Sequence, residues 1–112
     1  MFQPVEVTDR TIRDQLEKRK KPVVLHVWAR GCSASKVVGP AVIRLASRDD
    51  RFTLLIADIS ELPETTDRLG IDRTPAMIMF QDGAEVARTG GWMLEARIAR
   101  WLDRNLAGNP RD

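Results

Sequence analysis

The chain predicts an α/β fold, a mixed central β-sheet flanked by helices on both faces, in the order β-α-β-α-β-α-β-β-α. Three observations carry that expectation. Apolar runs of strand length, "PVVLHVWA" and "RFTLLIADIS", alternate with segments whose apolar residues recur every three or four positions, the pattern of helices laid across a sheet. Asp82-Gly83 joins two strand-like runs, and this dipeptide suits a tight hairpin. The last third closes in "MLEARIARWLDRNLAG", an amphipathic helix.

Taken in order, "FQPVEV" opens as a short strand, and Pro4 near its start suits a sheet edge. Thr8 or Asp9 is placed to cap a helix running to about Lys20, with Ile12 and Leu16 one turn apart on its inner side. "PVVLHVWA" is apolar on both faces and reads as a buried strand. A second helix starts at Cys32 or Ser33. Val37, Val38, Ala41, Val42 and Leu45 mark its inner face, and Pro40 is expected to kink it by removing a donor. After the strand "RFTLLIADIS", "ELPETTDRLG" suggests a short helix stopped by Gly70. "PAMIMFQDGAEVART" forms the hairpin. In the closing helix Leu94, Ile98, Trp101 and Leu102 are expected to face inward, and Arg97, Arg100 and Arg104 outward.

At 112 residues the chain is expected to form one domain, residues 1–112, large enough for a core without metal or disulfide staples. Eighteen basic and sixteen acidic residues leave a formal charge of +2, too weak a bias to imply nucleic acid or an acidic membrane surface. "KRKK" at 18–21 reads as solvated cations complementing a helix end. No apolar stretch approaches the ~18 residues of a membrane helix. The N-terminus lacks the basic-then-apolar pattern of a signal peptide, so a cytoplasmic protein, monomeric or weakly dimeric, is expected. One cysteine and one histidine fall short of a metal-ligand set; no metal and no cofactor are predicted.

The only cysteine, Cys32, lies in "WARGCSASK" at the start of the second helix. There a thiol meets unpaired backbone N–H groups and the positive end of the helix dipole, which favour the thiolate. Its pKa is expected below the ~8.5 of a free cysteine, helped by Arg30 and Lys36 and by a hydrogen bond from Ser35 one turn on. A buried, inert cysteine is the plainer alternative. His26, inside a buried strand, is expected either as a neutral imidazole bonded to Ser35 or backbone, or as a proton acceptor for the site. A Cys–His hydrolase lacks a third orienting residue and an oxyanion hole.

"VWARGCSASKVVGP" and "RTPAMIMFQDGAEVARTGG" together resemble the thioredoxin family, and the likeness spans essentially the whole chain. Trp28, Ala29, Cys32, Lys36 and Pro40 match the family's W-A-x-W-C-G-P-C-K motif and the proline after it. Thr74-Pro75 matches its cis-proline step, and Gly91 the glycine of its terminal hairpin. The resemblance implies a thioredoxin fold, a thiol-disulfide oxidoreductase or isomerase, and a protein or small-molecule disulfide or thiol as partner. It implies Cys32 as nucleophile, Thr74 and Pro75 as a clamp on substrate backbone, and Trp28 packed under the active-site loop. Trp92 is left with two roles, filling the core or standing on the rim of the groove beside Gly91.

Departures from the family alter the chemistry. Gly31 replaces its second tryptophan, Ser33-Ala34 its Gly-Pro, and Ser35 its resolving cysteine. His26 and Ile56 replace its buried aspartate and the lysine paired with it. Without a second sulfur, nothing inside the motif expels a mixed disulfide from Cys32. Two origins fit: a monothiol protein, or a dithiol enzyme whose resolving cysteine has been replaced by Ser35 so that it traps its substrate. A redox-inactive binding module using the same groove is the alternative of a different class.

Overall fold

The computed structural model describes residues 2–106. Its elements follow the expected order: β1 (Val5–Glu6), α1 (Ile12–Lys18), β2 (Val23–Trp28), α2 (Ser33–Ala46), β3 (Thr53–Asp58), a 3-10 turn (Ile59–Glu61), α3 (Pro63–Leu69), β4 (Ala76–Gln81), β5 (Ala84–Gly90) and α4 (Glu95–Asn105). The five strands form one sheet in the order β1-β3-β2-β4-β5. β1, β3 and β2 run parallel, and β4 and β5 are antiparallel to their neighbours. β2 lies at the centre, so the loop leaving its C-terminal end carries Cys32 over the middle of the sheet.

Both faces of the sheet are covered because the central strands are apolar on both sides, His26 of β2 being the buried exception. Val23, Leu25, Val27, Ala76, Ile78 and Phe80 face one way and pack with Ile12 of α1 and Leu62 ahead of α3. Val24, Met77 and Met79 face the other, against Val38, Ala41 and Val42 of α2 and Ile98, Trp101 and Leu102 of α4. A strand's period of two makes this division. It also assigns His26 to the α2 side, two residues after Val24.

Several local expectations are corrected. α1 begins at Ile12, after a turn closed by Thr8, and Thr11 precedes it without a side-chain cap. Asp9 caps another helix: its carboxylate accepts from the backbone N–H groups of Glu64 (2.8 Å) and Thr65 (2.9 Å) and from the Thr65 hydroxyl (2.6 Å) at the start of α3. α2 is assigned as one unbroken helix past Pro40, which lies on its exposed side. Val37 is also exposed, and Ala46 replaces it on the buried face. Leu94 is 64% exposed because its backbone is extended ahead of the first turn of α4; helical spacing does not yet apply there, and Met93 turns inward instead.

α3 ends as expected on Gly70, whose φ of 66° closes the helix with its N–H on the Asp67 carbonyl. At the other end of the sheet, Arg44 of α2 donates to Glu95 Oε1 (2.9 and 2.8 Å) and Arg48 to Glu95 Oε2 (3.2 Å). These exposed contacts tie the start of α4 to α2. No helix among the described residues is long and apolar enough to cross a membrane.

Candidate active site

Cys32 stands immediately before the first turn of α2, with extended backbone (φ −86°, ψ 110°). A turn closes behind it, the Cys32 N–H bonding the Ala29 carbonyl at 3.2 Å. Gly31 occupies that turn with φ +81°, a conformation side chains beyond glycine resist. Ser33 to Lys36 wind the first turn, and the Lys36 N–H reaches the Cys32 carbonyl. The thiol is partly exposed and free of any disulfide.

The Cys32 pKa is pulled down to about 7. The leading cause is hydrogen bonding from the Ser35 side chain, followed by the Thr74 side chain and the Ser35 backbone N–H, against a smaller desolvation cost. Ser35 is buried, and its oxygen accepts from the Ala29 N–H at 3.4 Å, which leaves its proton for the sulfur. The charges of Arg30 and Lys36, expected to help, are not among the leading causes. Hydrogen-bond donors aimed at the sulfur set the shift.

Facing Cys32, the Thr74–Pro75 bond is cis, and the thiol donates to the Thr74 carbonyl at 3.6 Å. Pro75 is fixed from behind by the hairpin strand, since the Gly91 N–H donates to its carbonyl at 2.8 Å. Gly91 has φ +84°. A Cβ on Gly90 would come within 2.9 Å of the same Pro75 oxygen, so this close approach needs the Gly90-Gly91 pair. One residue on, Trp92 is 59% exposed. It therefore does not fill the core.

His26 departs from the expected picture. It is 2% exposed, paired in register with Ile56 and Met77, and neither ring nitrogen has a hydrogen-bond partner among the described residues. Its Nε2 faces Gly39, where a Cβ would lie 3.5 Å away. Gly39 is one helical turn beyond Ser35, about 6 Å along the axis, so the anticipated His26–Ser35 bond does not form. Burial pushes the His26 pKa down to about 4, and the ring stays neutral where Cys32 ionises.

Trp28 ends the strand that leads into the Cys32 loop. It is partly exposed at the end of β2 and walls a cleft of about 350 Å³ shared with Thr8, Thr11, Asp58 and Glu61, toward the β1 side of the sheet. Lys36 is exposed one turn beyond Cys32. Ser35, Thr74, Pro75 and Gly91 thus gather around the thiol directly or through one bond, and His26 and Trp28 do not. Among the described residues no group of three or more His, Cys, Asp or Glu side chains is placed to hold a metal ion.

A mixed five-stranded sheet with helices on both faces, a helix that begins beside Cys32 and a cis Thr74–Pro75 bond facing it make up a thioredoxin fold. The chain belongs to the thioredoxin family, whose "Thioredoxin" model matches residues 3–104. It is 29% identical to the thioredoxin of Pseudomonas aeruginosa over 104 residues, 91% of this chain and 95% of that one. It is 30% identical to the thioredoxin of Mycobacterium tuberculosis over 99 residues, 88% of this chain and 85% of that one. Thioredoxin 1 of Synechococcus elongatus is 28% identical over 101 residues, 89% of this chain and 94% of its own length.

Proposed function

We propose that this protein performs thiol-disulfide exchange through Cys32 alone, forming a mixed disulfide that a thiol of the partner or of the solution later releases. The observation that carries the reading is the partly exposed Cys32 thiol, its pKa near 7 and its sulfur 3.6 Å from the carbonyl of Thr74. In this reading Cys32 is the nucleophile and Ser35 holds the thiolate. The free edge at Thr74 pairs with an extended substrate strand, and Pro75, Gly91 and Trp92 shape the groove. Lys36 lies at its margin, Trp28 supports the loop from the β1 side, and His26 takes no part in proton transfer because it has no partner to pass a proton to. Ser35 supplies no second sulfur, so the adduct persists until an outside thiol arrives, whether the chain is a natural monothiol protein or a trapping form of a dithiol parent.

The pH dependence of Cys32 alkylation tests this. A rate titrating near pH 7 is expected, and Ser35→Cys is expected to gain catalytic reduction of a protein disulfide when a chemical reductant is supplied. Titration at or above the ~8.5 of a free cysteine would overturn the assignment. A second reading, a redox-inactive module that holds a partner protein, is favoured by one observation: Trp92 and Leu94 are exposed at 59% and 64% directly after Gly91, whose N–H meets the Pro75 carbonyl. Under that reading Trp92→Ala abolishes partner binding and Cys32→Ser leaves it intact.

A further inference from the structure

The chain carries no acidic residue from Trp28 to Arg48, while Arg30, Lys36, Arg44 and Arg48 fall in that span. The first turn of α2, where the helix dipole favours acids, holds none. The rim loop Gly90–Leu94 is uncharged. Arg44 and Arg48 are occupied by Glu95, which leaves Arg30, Lys36 and Arg73 on the segments that flank the thiol. Arg30 lies inside the turn closed by the Cys32 N–H, Lys36 one helical turn beyond Cys32, and Arg73 next to Thr74, whose carbonyl meets the sulfur. All three are exposed. Arg30 and Lys36 form no hydrogen bond or ion pair among the described residues, and Arg73 has only a solvent-exposed contact of 3.8 Å with Asp72. Two acids lie nearby: Asp72 itself, and Asp58, whose carboxylate is engaged by Ser60 and feels the charge of Arg30.

The sulfur draws its own activation chiefly from hydrogen bonds, and the three exposed cations lie on the segments before, after and opposite it, where they offer charge to an approaching anion. We propose that the partner taken at Cys32 is anionic next to its own sulfur, a disulfide with a carboxylate within a residue or two of the bond attacked. This rests on the thiol-exchange reading and names the substrate class for it. The step balances without an added oxidant. The Cys32 thiolate attacks one sulfur of the partner disulfide, the new sulfur–sulfur bond forms as the old one breaks, and the second sulfur leaves as a thiolate with the electron pair. The cations steer the anion into the groove and offset the negative charge that gathers on the three sulfurs.

The test uses the full chain and three small disulfides: glutathione disulfide (anionic), 2-hydroxyethyl disulfide (neutral) and cystamine (cationic). Adduct formation is followed by intact mass, and each rate is divided by that of thioglycerol, a neutral thiol unlike any of the three, with the same reagent. At about 20 mM salt the anionic reagent is expected to exceed the cationic one by about tenfold, and the gap is expected to close near 0.5 M as screening shortens the reach of each charge. Arg30→Glu combined with Arg73→Glu is expected to reverse the order, and Asp72→Asn to widen the gap. Arg104→Glu, in the last turn of α4, is expected to change nothing.

A peptide disulfide with Glu on both sides of its cysteine separates two sources of the anion. A rate above that of glutathione disulfide assigns it to a protein segment paired with Thr74, and an equal rate to a small anionic thiol; either supports the proposal. Equal normalised rates for all three reagents at low salt, or an order that survives the charge reversal, overturn it while leaving thiol exchange standing. Failure of every reagent to react sinks the thiol-exchange reading, and this inference with it.

Discussion

Two polar groups on the α2 side of the sheet have their pKa values lowered, and the meaning is opposite in each. At Cys32 donors converge on the sulfur, so the lowering to about 7 favours the charged form. At His26, one turn further under the same helix, no described residue donates to or accepts from the ring, and the lowering to about 4, caused by burial, disfavours the charged form. The direction of a shift therefore says little until its cause is known. Here it separates a thiol whose charged form is favoured from a buried ring whose charged form is not. The imidazole takes the position of a proton-handling carboxylate in the family motif and, with no partner in reach, can only remain neutral.

The largest expected effect comes from replacing the buried ring. His26 unfolds to its ordinary pKa of 6.5 and is held near 4 when folded, so the unfolded chain binds the extra proton between those values. Its contribution is fully present above pH 6.5 and is lost as the pH falls toward 4, a total of about 3 kcal/mol. His26→Leu, which replaces an unpartnered buried ring by a hydrocarbon, is expected to keep or raise stability at pH 7 and to lose about 2–3 kcal/mol less than the parent by pH 4.5. Urea unfolding at the two pH values measures this, and parallel losses in both proteins would remove His26 from the account.

At the other pole, Ser35→Ala takes away the leading hydrogen bond to the sulfur. The alkylation titration of Cys32 is expected to move upward from about 7, with a rate about threefold lower at pH 6. An unchanged profile would assign the thiolate to the Thr74 side chain and the backbone donors. The smallest effect is expected from Gly39→Ala. The added methyl meets His26 Nε2 at 3.5 Å, an ordinary contact, and alanine in a helix interior gains about 0.5–1 kcal/mol over glycine. A large loss on thermal unfolding would show that the ring leaves no room there.

Where a feature depends on neighbours in the chain, the sequence displayed it. Cys32 at the head of a helix, Gly70 closing another and Asp82-Gly83 in the hairpin are set by a few adjacent residues, and each is found as read. Thr74-Pro75 and Gly90-Gly91 were legible as motifs, although their link through the Pro75 carbonyl is tertiary. The misreadings share a cause. Asp9 was assigned to the nearest helix because its true partners lie 55 and 56 residues away. Leu94 and Val37 were placed by helical spacing, and the point where a helix starts, or the side a neighbour covers, is decided by packing. His26 looked satisfied because buried polar groups usually are; its isolation follows from how far along α2 the ring happens to sit.

The Asp9 contact reaches beyond local stability. α3 has no side-chain cap from its own surroundings, and the donors at its start are met by a residue ahead of α1. During synthesis the N-terminal segment emerges long before α3 exists and has nothing to clasp until β3 has been laid beside β1. The short edge strand thereby carries a clasp on a helix more than fifty residues away. Trimming the first ten residues removes more than a two-residue strand: it unbuttons a helix on the far side of the sequence, within reach of the loop that leads to the cis-proline.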